Sequence, residues 1–294
     1  MDRTLQWTLA RPVTFEGVGL HSGARVTMTL LPADPHSGIR FLRTDLPGSA
    51  PIPALADHVV ETTLSTTLGF DGVRVGTVEH LMAALYVMGV CNVEVLIDSP
   101  ELPIMDGSSI AYIEAIREAG RVEQNAPRRI LMIQDKLEVQ RGDRSVIYQP
   151  AESGEAELTC IVDYGHPHAG AQLFEGNLSE EGFASELASA RTFCFLAEVE
   201  AMRKAGLAKG GTPDNAVVIA DDGPMTTLRY ADECVRHKTL DLIGDLALCG
   251  FEWRGSVTAA KAGHPLHVAL AQQLQRLASR DRAKEESVYA HHAR

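Results

Sequence analysis

The order of periodic segments predicts an α+β protein built of two similar two-layer α/β domains, each a sheet with two helices. Three observations predict it. The first sixty residues alternate apolar and polar side chains, as in "RVTMTLLPAD" and "IRFLRTDL", between glycines and prolines, the pattern of strands and turns. A helix, a glycine stop, a strand, a loop and a second helix then follow one another in both halves, a weak repeat visible in element order rather than identity. Between the halves lies "RVEQNAPRRI", polar and interrupted by Pro127.

In the first half, "GTVEHLMAALYVMGV" predicts a helix with Thr77 as its N-cap and Gly89 as its stop. "CNVEVLID" predicts a strand, and "DGSSIAYIEAIREAG" a second helix capped by Asp106. New strands, "ILMIQDKLEVQ" and "SVIYQP", begin after the polar stretch, so the domains are set at residues 1–126 and 127–280. The second half carries a helix from about Asp232 to Cys249, closed by Gly250, then the strand "SVTAAKAG" and the helix "PLHVALAQQLQRLA". Residues 193–222 add an apolar helix–strand insert with no counterpart in the first half, and the charged residues 281–294 predict a flexible tail. Two similar domains packed together would bring the helix starts near His80 and His237 to a shared interface.

A chain of 294 residues can bury one large core or two smaller ones. Its net charge of −12, from 27 basic and 39 acidic residues, argues against broad nucleic-acid binding, which needs a basic surface. The longest apolar run, Leu81 to Cys91, is too short to span a bilayer. The opening "MDRTLQWTLA" has neither the basic region nor the apolar stretch of a signal peptide. The cysteines at 91, 160, 194, 234 and 249 form no CxxC and read as buried thiols, which predicts a cytoplasmic protein.

The segment "VRHKTLDLIGD" places His237, Asp241 and Asp245 four residues apart, on one helical stripe opposite Leu240, Leu242, Ile243 and Leu246. The stripe is either a solvated polar face or a metal and catalytic face, and these eleven residues alone do not decide. A catalytic Zn²⁺ site uses three N/O ligands and leaves a position for water. His237 and Asp241 could supply two ligands, the geometry that HEXXH uses, and HEXXH itself is absent. Among the other histidines, His166 and His168 form an HxH pair, the weaker candidate. His21, His36 and His58 read as satisfied surface or turn histidines, and His267 falls inside the last helix. His80 follows Glu79 at the start of a strongly apolar helix, where two adjacent ionisable groups are costly unless used. His264 sits between a strand and a helix, where loops commonly present catalytic groups. Zinc-assisted hydrolysis needs a base and an acid. Glu79 and His264 suit those roles, and Asp245 could orient a histidine.

Five blocks, "TVEHLMAAL", "PIMDGSS", "SARTFCF", "VRHKTLDLIGDLAL" and "KAGHPLH", together with "GVGLHSG", stand in an order and spacing that resemble one family. From about residue 5 to residue 275 the sequence is similar to the UDP-(3-O-acyl)-N-acetylglucosamine deacetylases, the zinc enzymes of the committed step of lipid A synthesis in Gram-negative bacteria. The resemblance implies one catalytic Zn²⁺, with Fe²⁺ as an alternative occupant in the cell, held by His80, His237 and Asp241. It implies Glu79 as general base, His264 as general acid, Asp245 as the carboxylate paired with that acid, and Thr192 as a hydroxyl that helps stabilise the oxyanion. Phe193 and Lys238 match residues lining the substrate site, and Lys261 a phosphate contact. The insert at 193–222 matches an apolar acyl passage, with Leu207 in its wall. "ADHVVETTLSTTLGFDGVRVG" matches a smaller strand insert of the first domain. The implied fold packs the domains helix to helix with the site between them. The expected partner is the UDP-linked acylated glucosamine, acted on by a monomer without nucleic acid or transmembrane segment. A metallopeptidase or base deaminase is disfavoured by the missing HEXXH and PCxxC signatures. A carbohydrate-binding protein with a structural metal is disfavoured because closed four-ligand sites usually use cysteine.

Overall fold

The computed structural model describes residues 4–279 in full and the helix backbone on to His292. The tail expected over residues 281–294 therefore falls outside the residues described in full. Two large sheets organise the chain. The first has the spatial order Val13–Val18, Arg25–Pro32, Val93–Ile97, Ile39–Arg43, Ile52–Pro53. The second runs Leu137–Arg141, Arg144–Gln149, Glu252–Ala260, Ala156–Val162, Gln172–Asn177, with Ile130–Met132 also paired to Glu252–Ala260.

The two orders are the same. In each sheet the last strand in sequence lies between an antiparallel and a parallel neighbour: Val93–Ile97 between Arg25–Pro32 and Ile39–Arg43, and Glu252–Ala260 between Arg144–Gln149 and Ala156–Val162. A parallel pair needs a crossover connection. Both crossovers carry a small three-stranded sheet and then a helix. The first holds Val59–Glu61, Thr67–Phe70 and Val73–Val75, then α1 (Glu79–Val87). The α2 helix (Ile110–Ala119) follows the first sheet. The second crossover holds the short turn α3 (Glu180–Gly182), then Phe193–Phe195, α4 (Leu196–Lys204), Val217–Ala220 and Gly223–Pro224, then α5 (Glu233–Ala247). The α6 helix (His264–His292) closes the repeat. Residues 193–224 thus hold α4 and three short strands, and the two large sheets share one strand order.

Local details differ from expectation. Residues 121–127 are not a bare separator: Arg121–Pro127 is a strand, antiparallel to Leu5–Leu9. Thr77 does not cap α1. Its φ of 57° lies in the left-handed region, and Val78 occupies the position before the helix with no side-chain cap. Asp106 does not cap α2, which starts after Ser109. Its Oδ1 accepts from the Ser108 N–H (3.1 Å) and hydroxyl (2.8 Å), while Oδ2 pairs with Arg229 Nη1 (2.7 Å). In both cases a tertiary partner outcompetes the helix end for the polar side chain. Gly89 and Gly250 do end their segments, with φ of 73° and 84°. Cys160, Cys234 and Cys249 are buried as expected, whereas Cys91 and Cys194 are only partly so.

All nine residues of α1 are buried, and so is most of α5, because the two helices pack against each other in the centre of the molecule. Leu81, Leu85, Leu240, Ile243 and Leu246 have no exposed surface, each contributing about 1.5–3 kcal/mol on burial. That apolar contribution offsets the cost of carrying Glu79, His80, His237, Asp241 and Asp245 into the same interior. The helices meet closest at Gly244, where a Cβ would overlap the Glu79 carbonyl oxygen and carbon. Gly244→Ala should therefore cost about 1–3 kcal/mol, as overpacking does, although alanine is the better helix former. Thermal melting checks this. A melting temperature at or above that of the unaltered protein would contradict so close a crossing.

Candidate active site

One arm of the site is the start of α1. Glu101 ties the segment ahead of it to the "GVGLHSG" turn, accepting from the Thr77 hydroxyl (3.0 Å) and from the backbone N–H groups of His21 (2.8 Å) and Ser22 (2.7 Å). Glu79 and His80 then enter the interior in the first turn, and the His80 carbonyl accepts from the Ser109 hydroxyl (2.8 Å). The other arm is α5. His237, Asp241 and Asp245 are at most 1% exposed, so the stripe is not a solvated face.

The two arms converge on Asp241. His80 Nε2 lies 3.5 Å and His237 Nε2 3.4 Å from Asp241 Oδ1, with the imidazole rings at 85° to each other. Tetrahedral ligands at usual zinc distances stand about 3.3 Å apart, so this spacing fits a small cation. The hydrogen bonding fits it as well. His237 Nδ1 donates to the Ala190 carbonyl (3.0 Å), which leaves the Nε2 lone pair facing Asp241. Asp241 Oδ2 accepts from Lys238 Nζ (2.6 Å), while Oδ1 is buried without a hydrogen-bond partner. Burial, with the fields of His80 and Lys238 adding to it, outweighs the pull of Asp241 and pushes the His237 imidazole down to about 3. It is neutral, as a metal ligand must be. Burial by itself would push the Asp241 carboxyl up, but the Lys238 ammonium beside it, with the His80 contact and the field of His264, overcomes it and holds the group well below the usual range.

Flanking this trio stand a carboxylate and an imidazole with opposite tendencies. Burial raises Glu79 above the ordinary carboxylate value against the fields of His264 and His80. Its Oε2 accepts from the Thr66 N–H (3.0 Å). Burial disfavours the His264 imidazolium, yet the Asp245 carboxylate prevails, with Asp241 and Glu79 adding to it, and the ring is pushed up to about 9. His264 Nδ1 donates to Asp245 Oδ2 (2.8 Å), leaving Nε2 on the side of Asp241, 3.9 Å from its Oδ2. Asp245 also accepts from His267 Nδ1 (3.0 Å) and the Thr66 hydroxyl (2.5 Å). His264 is the first residue of α6 rather than part of the loop before it.

The remaining predicted residues fall at graded distances. The Phe193 ring centroid stands 6.2 Å from that of His237, and Lys238 Nζ 5.8 Å from the Phe193 centroid, so both adjoin the trio. Thr192 is held next to them, its N–H donating to Gly107 O (2.8 Å) and its carbonyl accepting from Val217 N–H (2.8 Å). The buried Arg191–Glu233 pair (2.9 Å) anchors this stretch to the start of α5. Lys261 instead faces Asp163 (3.4 Å) and Asp143 (3.5 Å), so it already has two acidic partners. Leu207 is half-buried just beyond α4.

His166 and His168 belong to no metal-sized group among the described residues. His21, expected as a satisfied surface or turn histidine, is different: both ring nitrogens are shielded and lack a hydrogen-bond partner. Burial pushes its imidazole down, and the fields of His264 and His80 act on it too. The insert locks over this turn, with Lys209 N–H donating to His21 O (3.2 Å) and Gly210 N–H to Leu20 O (3.0 Å). A side chain at Gly210 would overlap the Gly19 carbonyl. Its place in the "GVGLHSG" block was the one sequence signal for His21, whereas nothing in the sequence singled out Thr66 or Gly244.

A family model described as LpxC: UDP-3-O-acyl N-acetylglycosamine deacetylase matches residues 6–276. The chain belongs to this family. A protein of Myxococcus xanthus named UDP-3-O-acyl-N-acetylglucosamine deacetylase is 48% identical over 271 residues, 92% of this chain and 86% of that one. Proteins of the same name from Anaeromyxobacter sp. (45%; 92% of this chain and 88% of that one) and Brucella melitensis (43%; 89% and 92%) are similar over comparable lengths. Family membership makes the chain an enzyme that hydrolyses an amide.

The geometry sets a candidate ion-holding trio around Asp241 beside the candidate proton carriers Glu79 and His264. If His80, His237 and Asp241 hold the ion, His237→Ala or Asp241→Ala should purify with little divalent metal, since losing one of three ligands removes much of the binding energy. His264→Ala should keep its metal and lose turnover. Metal analysis of the purified variants is decisive: a metal-free His264→Ala beside a loaded Asp241→Ala would reverse the assignment.

Proposed function

We propose that the protein removes acetate from the 2-N-acetyl group of UDP-(3-O-acyl)-N-acetylglucosamine in lipid A synthesis, with one Zn²⁺, or Fe²⁺ in the cell, held by His80, His237 and Asp241. The observation that carries this reading is the unpartnered Asp241 Oδ1 facing two imidazole nitrogens, flanked by a desolvated carboxylate and a carboxylate-held imidazole. When bound, the ion supplies a Lewis acid for the amide oxygen and lowers the pKa of a water molecule.

The chain's own groups then divide the proton transfers. Glu79, a stronger base for being desolvated, takes the proton of the attacking water as its oxygen bonds to the amide carbon. The Thr192 hydroxyl supports the oxyanion that forms there. His264, protonated because Asp245 stabilises its charge, delivers a proton from Nε2 to the nitrogen as the C–N bond breaks. Acetate and the free amine leave. The five unpaired cysteines accord with a reducing cytoplasm. We place the domain division near residue 126, since the first large sheet uses only residues 13–97 and the second only residues 130–260.

Acetate release from the acylated UDP-sugar by metal-loaded protein is the direct test. Glu79→Gln and His264→Gln should each lower kcat by about 10²–10⁴-fold with metal content preserved. Full turnover in either variant contradicts its role as base or acid.

The insert supports a passage for the acyl chain. Val217 and Ile219 pack into a small core with Phe193 and Phe195, but α4 buries none of its residues, and Leu196 is 47% exposed. Apolar surface therefore remains on α4, which follows Phe193 and Phe195 in the chain, and half-buried Leu207 lies just beyond α4. Six well-buried methylenes are worth about 5 kcal/mol before ordering costs. UDP-N-acetylglucosamine without the acyl chain should then lose on the order of a thousandfold in kcat/KM. Leu207→Asp should penalise the acylated substrate far more than the unacylated one. Wild-type values for the two substrates within about tenfold would reduce the insert to packing.

A further inference from the structure

We propose that Thr66 is a positioning residue that holds the base and the acid pair of the site to each other from a single point of the chain. Thr66 lies in the first crossover, immediately before the strand Thr67–Phe70, and has no exposed surface. Its backbone N–H donates to Glu79 Oε2 (3.0 Å), its hydroxyl donates to Asp245 Oδ1 (2.5 Å), and its carbonyl accepts from Val78 N–H (3.2 Å) just ahead of α1. The hydroxyl oxygen also stands 3.3 Å from His264 Nδ1. Through these contacts, one residue of the first half touches both the base and the acid histidine's carboxylate directly.

The arrangement around Asp245 explains why the hydroxyl matters. Oδ2 receives two imidazole N–H donors, from His264 (2.8 Å) and His267 (3.0 Å), while Oδ1 receives Thr66. A carboxylate with two donors on one oxygen gains by rotating until each imidazole has an oxygen of its own. The Thr66 hydroxyl occupies the second oxygen and blocks that rotation. Asp245 thus keeps His264 Nδ1 where its Nε2 faces Asp241. A buried, charge-assisted O–H···O⁻ bond is the kind that holds such geometry. Glu79 stays in register because the same residue's N–H, fixed by the adjoining strand, orients its carboxylate.

The inference rests on the roles proposed above for Glu79 and His264, and the experiment separates the two. Thr66→Val keeps the backbone N–H and the shape while removing the hydroxyl. It should lower kcat for acetate release by about ten- to a hundredfold, the worth of a hydrogen bond to a charged group, with KM within about twofold. Metal content should stay near that of the unaltered enzyme, the melting temperature should fall by no more than a few degrees because Asp245 Oδ1 loses a buried partner, and Thr66→Ser should restore most of the rate. Thr66→Ala carries the same comparison where the valine variant does not fold. Adding Thr66→Val to His264→Gln should cost less than about threefold more, because residues acting through one another are not additive. An unaltered kcat in Thr66→Val, beside inactive Glu79→Gln and His264→Gln, overturns the positioning role alone. So does a fully multiplicative loss in the double variant. Full turnover in Glu79→Gln or His264→Gln overturns the inference together with the reading beneath it.

Discussion

The close crossing of α1 and α5 at Gly244 is the constraint on which the site depends. Because that position has no side chain, the carbonyl of Glu79 can sit against the face of α5. His80, the next residue, is then carried within reach of His237 and Asp241. Neither helix could assemble the trio alone, since each presents only one side of it. Glu79, His80 and the helix contact share the same turn of α1. A change in the interhelical distance would therefore disturb packing and chemistry together.

Burial does opposite work on chemically similar groups in this small volume. It drives His237 toward the neutral imidazole. His264, a few ångströms away, is kept protonated because the Asp245 carboxylate accepts its Nδ1–H and sets a full negative charge beside the ring. The carboxylates divide in the same manner. Glu79 is raised by desolvation, and Asp241 and Asp245 are lowered by the cations and imidazoles that touch them. Pairs of like groups whose environments push them apart are how one site carries both an acid and a base. The polar network is costly to bury, and its members offset that cost by hydrogen-bonding one another.

The repeated topology supplies the frame, and the unrepeated pieces specialise it. Each large sheet places a helix, α1 or α5, in the crossover of its parallel pair, which brings the two helices face to face. The small sheet in the first crossover delivers Thr66 to the interior. The insert in the second leaves apolar surface on α4 and clasps the turn at 19–23 with backbone hydrogen bonds. Difference between the halves is thus concentrated around the candidate site.

The sequence by itself determined the mixed α and β character, the helix–strand–helix order shared by the two halves, the helical stripe of His237, Asp241 and Asp245, and the pairing of Glu79 with His80 on an apolar helix. Each of these is written within one or two turns of chain, where residue period and neighbouring side chains suffice. Tertiary structure alone decided that the stripe is buried, that Thr77 and Asp106 serve distant partners instead of helix ends, that Gly244 is a contact point, and that His21 faces inward. The reason is sequence distance. Thr66 and Asp245 are 179 residues apart, and His264 is 198 from Thr66. No local pattern encodes such a pair. It forms because the packing of two domains leaves a buried donor and a buried acceptor nowhere else to go.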